Sequence, residues 1–239
     1  VIAVIYLVCG VAHDHQYESG RPIMIRIDHF ALAAQTLEIG KEYIFKKTGL
    51  TVPFGGAHQG MGTHNCLMAT GDDSYLEIIA NDPNQPEPST PRAFDLDNFK
   101  VMAKTAARPH IQTVILRTSD AVQDTMKAKE AGVDLGNLVH AARDDLRWIL
   151  VMRQDRTLAL NGTAPPLIEW PAGPHVSKDM HYEGLILTKL TIASPESESL
   201  KTLFTAMNVQ DGRLKVEYAD TKKITATCQL PNGHAVVIG

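Results

Sequence analysis

The sequence predicts an α+β protein built from repeated βαβββ units. From Met24 onward, β-rich alternating stretches and one helical stretch follow in the order strand, helix, three strands. That order recurs over residues 110–170, and a shorter version of it recurs over 185–239. A few copies at this period argue against a solenoid, whose units are shorter and more numerous, and for paired half-sheets that share a core.

The first unit covers residues 24–82. Residues 25–34 alternate and are β-rich, and 37–47 follow as a helix with Thr36 as N-cap, Glu38 at the positive helix end and Gly49 as the stop. Strands at 51–57, 64–70 and 74–80 complete the unit, with Gly71, Asp72 and Asp73 turning the last hairpin. Residues 83–108 read as a linker, because 81–92 are rich in Pro, Asn and Asp. The second unit, 109–184, opens with a strand at 110–118. A helix at 121–131 follows, between Asp120 as cap and Gly132 as stop, and then strands near Leu138, at 147–153 and at 166–170. In the third and smaller unit, 185–239, Ser194 and Pro195 open a helix whose Leu200, Leu203, Phe204 and Met207 form a buried stripe. Ile224, Ala226 and Cys228 then alternate with polar residues before a turn at Pro231, Asn232 and Gly233.

Composition narrows the function classes. With 239 residues, 44% of them apolar and 21% charged, the chain reads as an ordinary soluble globular protein. A net charge of −4 and the lack of any basic run exclude a nucleic-acid footprint and a membrane surface, which leaves a small molecule as the expected partner. Cys9, Cys66 and Cys228 form no CxxC pair, so neither a disulfide framework nor a zinc ribbon is expected, and a reducing, cytoplasmic setting fits. Residues 1–9 are almost wholly apolar, yet a bilayer span takes about 20 residues. No basic region precedes them, so residues 1–23 read as a disordered or non-native leader, carrying His13 and His15, with Met24 as the natural start.

Period-two alternation puts Ile27, His29, Ala31 and Ala33 on one face of the first strand and Asp28, Phe30, Leu32 and Ala34 on the other. The Phe and Leu face suits a covering helix. The opposite face carries a histidine followed by two alanines, which leaves space beside a polar group, as a site requires. In the fourth strand Tyr75, Glu77 and Ile79 share a face. A Glu in an otherwise apolar strand is costly to bury unless it is paired or metal-bound. The stretch from Gly55 to Gly62 lacks both the GxGxxG spacing and the following helix of a phosphate loop, so it reads as a flexible rim where His58 touches ligand. His175 either closes over the opening or sits in a solvated loop, and His110, His140, His181 and His234 read as structural.

IDHF around His29, GGAHQGMGTHN at residues 55–65 and YLEIIA at 75–80, with LIEW at 167–170, resemble the glyoxalase-like domain family of the vicinal oxygen chelate superfamily. The resemblance implies that the units close into a curved mixed-sheet cup with helices on its outer face. It also implies a divalent metal (Zn, Ni, Mn or Fe(II)) held by residues from the first and last strands of each unit. Carried over, His29 and Glu77 are the ligands of the first unit and Glu169 is the last-strand ligand of the second. At the fourth position stands Thr113, a poor ligand for such a metal. His64 replaces it if a four-residue turn precedes Tyr75; a three-residue turn puts His64 on the opposite face from Glu77. The metal would act as a Lewis acid on vicinal oxygens of a small oxygenated metabolite, with Glu169 or Glu77 as the catalytic proton shuttle. Arg117, sharing the inward face with Thr113, would bind an acidic group of the ligand.

Two readings of function stand side by side: a metal-dependent isomerase, lyase or dioxygenase, and a non-catalytic cup that sequesters a small ligand. The retained His29 and Glu77 favour the enzyme, and the missing histidine of the second unit favours the binder. A weaker third reading makes residues 185–239 a dimerisation module and the protein a homodimer.

Overall fold

A computed structural model describes residues 24–143 and 146–239. The leader expectation, with His13 and His15, lies outside the described residues. The first unit contributes β1 (Arg26–Ala33), α1 (Leu37–Thr48), β2 (Phe54–His58), β3 (Thr63–Ala69) and β4 (Tyr75–Asn81). Thr36 caps α1 by accepting from the Ile39 amide, and Gly49 ends it at φ 73°. The stretch read as a linker contains a helix, α2 (Phe99–Ala107), capped by Asn98. Its apolar Phe99 and Met102 are exposed, so this helix turns apolar side chains to solvent instead of burying them. The second unit follows as β5 (His110–Thr118), α3 (Ala121–Glu130), β6 (Asn137–Arg143), β7 (Leu146–Met152), the single turn α4 (Ala159–Gly162) and β8 (Leu167–Glu169).

These eight strands form one mixed sheet in the order β2-β3-β4-β1-β5-β8-β7-β6. In each unit the first strand runs parallel to the last, and the units meet antiparallel at β1 and β5, so one half repeats the other about an axis between those strands. The sheet curls into a half-barrel. Its convex face packs Phe30, Leu32, Ile78 and Leu116 against Leu37 and Ile44 of α1 and Ala128 of α3. Its concave face carries Ala31, Ala33, Ile79, Ile115, Leu150 and Ile168.

Gly40 of α1 lies so close to β4 that an added Cβ would collide with the Cγ2 atom of Ile78 and stand 3.0 Å from the Cβ of Ala34. Glycine inside a helix costs about 1 kcal/mol relative to Ala, and here that cost lets helix and sheet approach. Gly40→Ala is therefore expected to destabilise by about 1–2 kcal/mol despite the better helix former, read as a lower midpoint in urea.

The third unit, β9 (Ile186–Ser194), α5 (Ser197–Ala206), β10 (Leu214–Tyr218), β11 (Lys223–Gln229) and β12 (Ala235–Ile238), keeps the element order but not the pairing. It makes its own sheet, β10-β9-β11-β12, in which the second strand rather than the last runs parallel to the first. Leu190, Ile192, Leu200 and Leu203 join the convex core, so this sheet lies outside the cup and leaves the mouth free. Two contacts bind it to β1: the Gln210 amide donates to the Ile25 carbonyl, and the Ile27 amide donates to Asp211 Oδ2 at 3.1 Å. Arg213 braces Asp211 from one side and reaches Asp73 of the first unit at 2.8 Å on the other. Among the described residues no helix is long and apolar enough to cross a membrane.

Candidate functional site

Strand β1 departs from regular alternation at one point. Its register against β5 shifts between Ile27 and His29, so Asp28 is an extra residue, and the amide before it is the one Asp211 accepts from. The bulge brings two consecutive side chains to the concave side. Strict alternation placed Asp28 on the convex face; here it is buried within the site.

Asp28 accepts three hydrogen bonds. Oδ1 takes His29 Nδ1 at 2.7 Å, and Oδ2 takes the Trp170 indole N–H and His175 Nε2, each at 2.9 Å. The His29 ring stacks on Tyr75, with centroids 4.3 Å apart, and turns Nε2 toward Glu77 Oε2 at 3.5 Å. Burial alone would lower the His29 pKa, but the carboxylates on either side override it and raise it from 6.5 to about 9. Burial would raise Glu77; the His29 hydrogen bond and charge, helped by the Asn65 hydrogen bond, hold it at about 2. Asp28 is held well below the ordinary carboxylate range against burial by His175 and His29. The floor of the cup is thus an imidazolium between two carboxylates.

Asn65 links this floor to the rim. Its amide nitrogen donates to Glu77 Oε1 at 2.7 Å and to His58 Nε2 at 3.1 Å, so His58 must carry its proton on Nδ1 and donate it to Thr63 Oγ1 at 2.8 Å. Burial lowers the His58 pKa, and Glu77 only partly opposes it, so His58 is neutral. Above these groups the cavity walls are apolar and aromatic: Phe94, Trp148, Leu150, Met152, Ile168 and Trp170. Trp148 and Trp170 face each other with centroids 5.6 Å apart. A short turn, Val176–Asp179, is tied down by His175 and brings Val176 over the cavity beside Met180. A shallower groove on the convex side, between α3 and the β6–β7 strands, brings together no such cluster of groups.

The model of the glyoxalase-like domain family matches residues 27–207, most of the chain. The chain belongs to that family, within the vicinal oxygen chelate superfamily. Among solved structures, a hypothetical protein from Staphylococcus aureus is similar over 90% of this chain and 99% of its own, at 14% identity and a TM-score of 0.57, which supports the fold. Methylmalonyl-CoA epimerase from Mycobacterium tuberculosis matches at 18% identity over 64% of this chain and 91% of its own, with a TM-score of 0.38. A variant of the Streptomyces coelicolor epimerase in complex with 2-nitronate-propionyl-CoA matches at 17% identity over 64% and 99%, with a TM-score of 0.39. No curated protein matches the sequence.

Within this glyoxalase-like cup the residues expected from sequence fall into two groups. His29, Glu77 and His58 converge on the cavity. Glu169 does not: its neighbour Ile168 lines the cavity, so Glu169 lies on the convex side with Leu167, where Oε2 accepts from the Ala121 amide at the start of α3. His64 is also turned away. The hairpin closes with the three-residue loop 71–73, the Thr70 amide donating to the Ser74 carbonyl at 2.8 Å, which pairs Ala69 with Tyr75 and Leu67 with Glu77, so His64 shares the convex face with Cys66 and Met68 and sits 3.6 Å from Asp82. Thr113 is buried beside Ala31, its hydroxyl on the Val114 carbonyl, and does not line the cavity. Arg117 stands between Arg26 and Ile168 toward the end of β5 and does not line it either.

The four-ligand metal cage implied by the glyoxalase-like resemblance therefore does not fit these residues. The second unit presents Ile168 and Trp170 to the cavity where a last-strand carboxylate would be needed. His29 Nε2 and Glu77 Oε2, 3.5 Å apart, are two of the four expected ligands, and the other positions bring no His or carboxylate to the cavity beside them. Among the described residues, no group of three or more His, Cys, Asp and Glu side chains is placed to hold an ion. Asp28, Asn65, Trp170 and Arg143 are site residues that sequence reasoning missed. Trp170 was open to discovery, because it alternates with Ile168 in LIEW.

Proposed function

We propose that this glyoxalase-like protein binds a small molecule with a flat apolar body and a carbonyl head, and moves a proton at the carbon beside that carbonyl in isomerase- or lyase-type chemistry. The observation that carries this reading is the buried Glu77 carboxylate paired with the His29 imidazolium on the floor of a cavity with mainly apolar and aromatic walls. A carbonyl oxygen lodged beside His29 Nε2 takes that N–H as a hydrogen bond and draws it away from Glu77. The carboxylate, relieved of its partner, becomes the stronger base and accepts the proton from carbon, while His29 stabilises the enolate oxygen. Asn65 keeps Glu77 in place, and the Asp28 carboxylate keeps His29 charged. No step of this scheme needs a metal.

The second reading, sequestration without turnover, is favoured by Ile168 and Trp170 at the inward positions of β8, where that strand offers the cavity no ionisable side chain. Proton exchange separates the two. In deuterated buffer, NMR of phenylacetone and phenylpyruvate should show loss of the methylene protons faster with the protein than without it. Glu77→Gln should reduce that enhancement at least about a hundredfold. Binding without exchange would establish the sequestration reading. Near-stoichiometric metal in the purified protein, lost in both His29→Ala and Glu77→Ala, would overturn the metal-free scheme.

A further inference from the structure

Arg143, the last residue of β6, lines the cavity together with Val139 and Ala141 of the same strand. Strand β6 is one edge of the eight-stranded sheet and β2 is the other, and the curl brings the Arg143 guanidinium against Gly56 of β2. A Cβ on Gly56 would stand 2.7 Å from Nη1, and the next nearest atoms are also those of Arg143, at 3.4 Å. Glycine at this place leaves room for one thing, the guanidinium. Among the described residues Arg143 makes no ion pair and no hydrogen bond, whereas Arg92 and Arg213 are each held by two carboxylates. Its charge is felt at the site: it adds to the lowering that burial imposes on the His58 pKa and opposes the rise that burial imposes on Tyr75.

An arginine that lines an aromatic cavity with its donors uncommitted is equipped to take a planar anion two bonds at a time. We infer that Arg143 is a specificity-determining residue that clamps an anionic head group, a carboxylate, of the ligand whose body lies against Trp148 and Trp170. The inference rests on the reading of the cup as a small-molecule site and names the substrate class: a carboxylate with a flat apolar body, of which aryl-substituted oxo acids are the type. The anion-binding role that sequence reasoning gave to Arg117 belongs to Arg143.

The two tryptophans of the chain both line this cavity, so intrinsic fluorescence reports on it alone. The test is a titration of the protein with phenylpyruvate and with phenylacetone, which has the same aryl ketone body and no carboxylate. Phenylpyruvate is expected to bind at least about tenfold more tightly. Arg143→Met should erase that preference by weakening phenylpyruvate alone, with phenylacetone as the internal control for an intact cavity. Gly56→Ala, whose added Cβ meets Arg143 first, should displace the guanidinium and reduce the preference in the same direction. An unchanged preference in Arg143→Met overturns the clamp, as does equal affinity or no binding of the two ligands in the parent protein. Loss of the preference in Arg143→Met with proton exchange indifferent to Glu77→Gln would leave the clamp standing and remove the proton-transfer reading. The reverse pattern removes the clamp alone.

Discussion

Asp28→Ala is expected to cost about 3–5 kcal/mol of folding stability, among the largest effects available to one substitution in this chain. The carboxylate is fully buried and is the shared acceptor for His29, Trp170 and His175. Truncation removes the counter-charge of the imidazolium and leaves three N–H donors facing a small void, and each unsatisfied buried donor carries a desolvation penalty of about 1–3 kcal/mol. Asp28→Asn keeps the shape and one acceptor, so it should cost less, but it can no longer hold His29 charged. Urea unfolding of the three proteins measures the difference. A loss below about 1 kcal/mol in Asp28→Ala would mean that water takes over the acceptor role, and that the carboxylate does not anchor the site.

The second large effect is a pH dependence. His29 has a pKa of about 9 in the folded protein against 6.5 for the free side chain, so the folded state binds this proton more tightly than the unfolded one. The resulting stabilisation is fully present below pH 6.5, declines as pH rises from there, and is gone above about 9. Its size is on the order of 3 kcal/mol. The carboxylates work in the opposite sense. Glu77 at about 2, and Asp28 lower still, contribute stability that is present above their free values and is lost as the solution is acidified through the folded ones. Other groups titrate in the alkaline window, notably Lys222, which burial lowers to about 8. The clean measurement is therefore the difference between the parent and His29→Gln in urea from pH 6 to pH 9.5. The difference should shrink steadily across that range; a difference independent of pH would show that His29 is neutral when folded.

The architecture was legible because its signals are local. Thr36 and Gly49 bracket α1, Asp120 caps α3, and the alternation in β1 and β4 separates the faces of His29 and Glu77 from those of Phe30 and Ile78. The site was legible only where regular alternation holds. A side-chain period of two means that a single residue of offset exchanges inside for outside. That offset explains why Glu169 was expected in the cavity and Trp170 was not, and why the length of the turn before Tyr75 decided the fate of His64. Asp28 escaped for a stronger reason: its orientation comes from a bulge in the β1–β5 pairing, next to which the Ile27 amide donates to Asp211, some 180 residues later in the chain. Arg143 was out of reach for a related reason, since its neighbour Gly56 belongs to the far edge of the curled sheet.

The bulge also changes how the C-terminal sheet is to be understood. It looks like an accessory, outside the cup and paired differently from the other two units. Yet its Asp211 carboxylate, held by Arg213, accepts from the Ile27 amide immediately before the residue that turns inward. The ligand-facing half of the molecule is thus wired to a segment that never meets the ligand. A chimera that grafts another C-terminal sheet onto this cup would leave the Ile27 amide, next to the bulge, without its acceptor unless a carboxylate equivalent to Asp211 came with the graft.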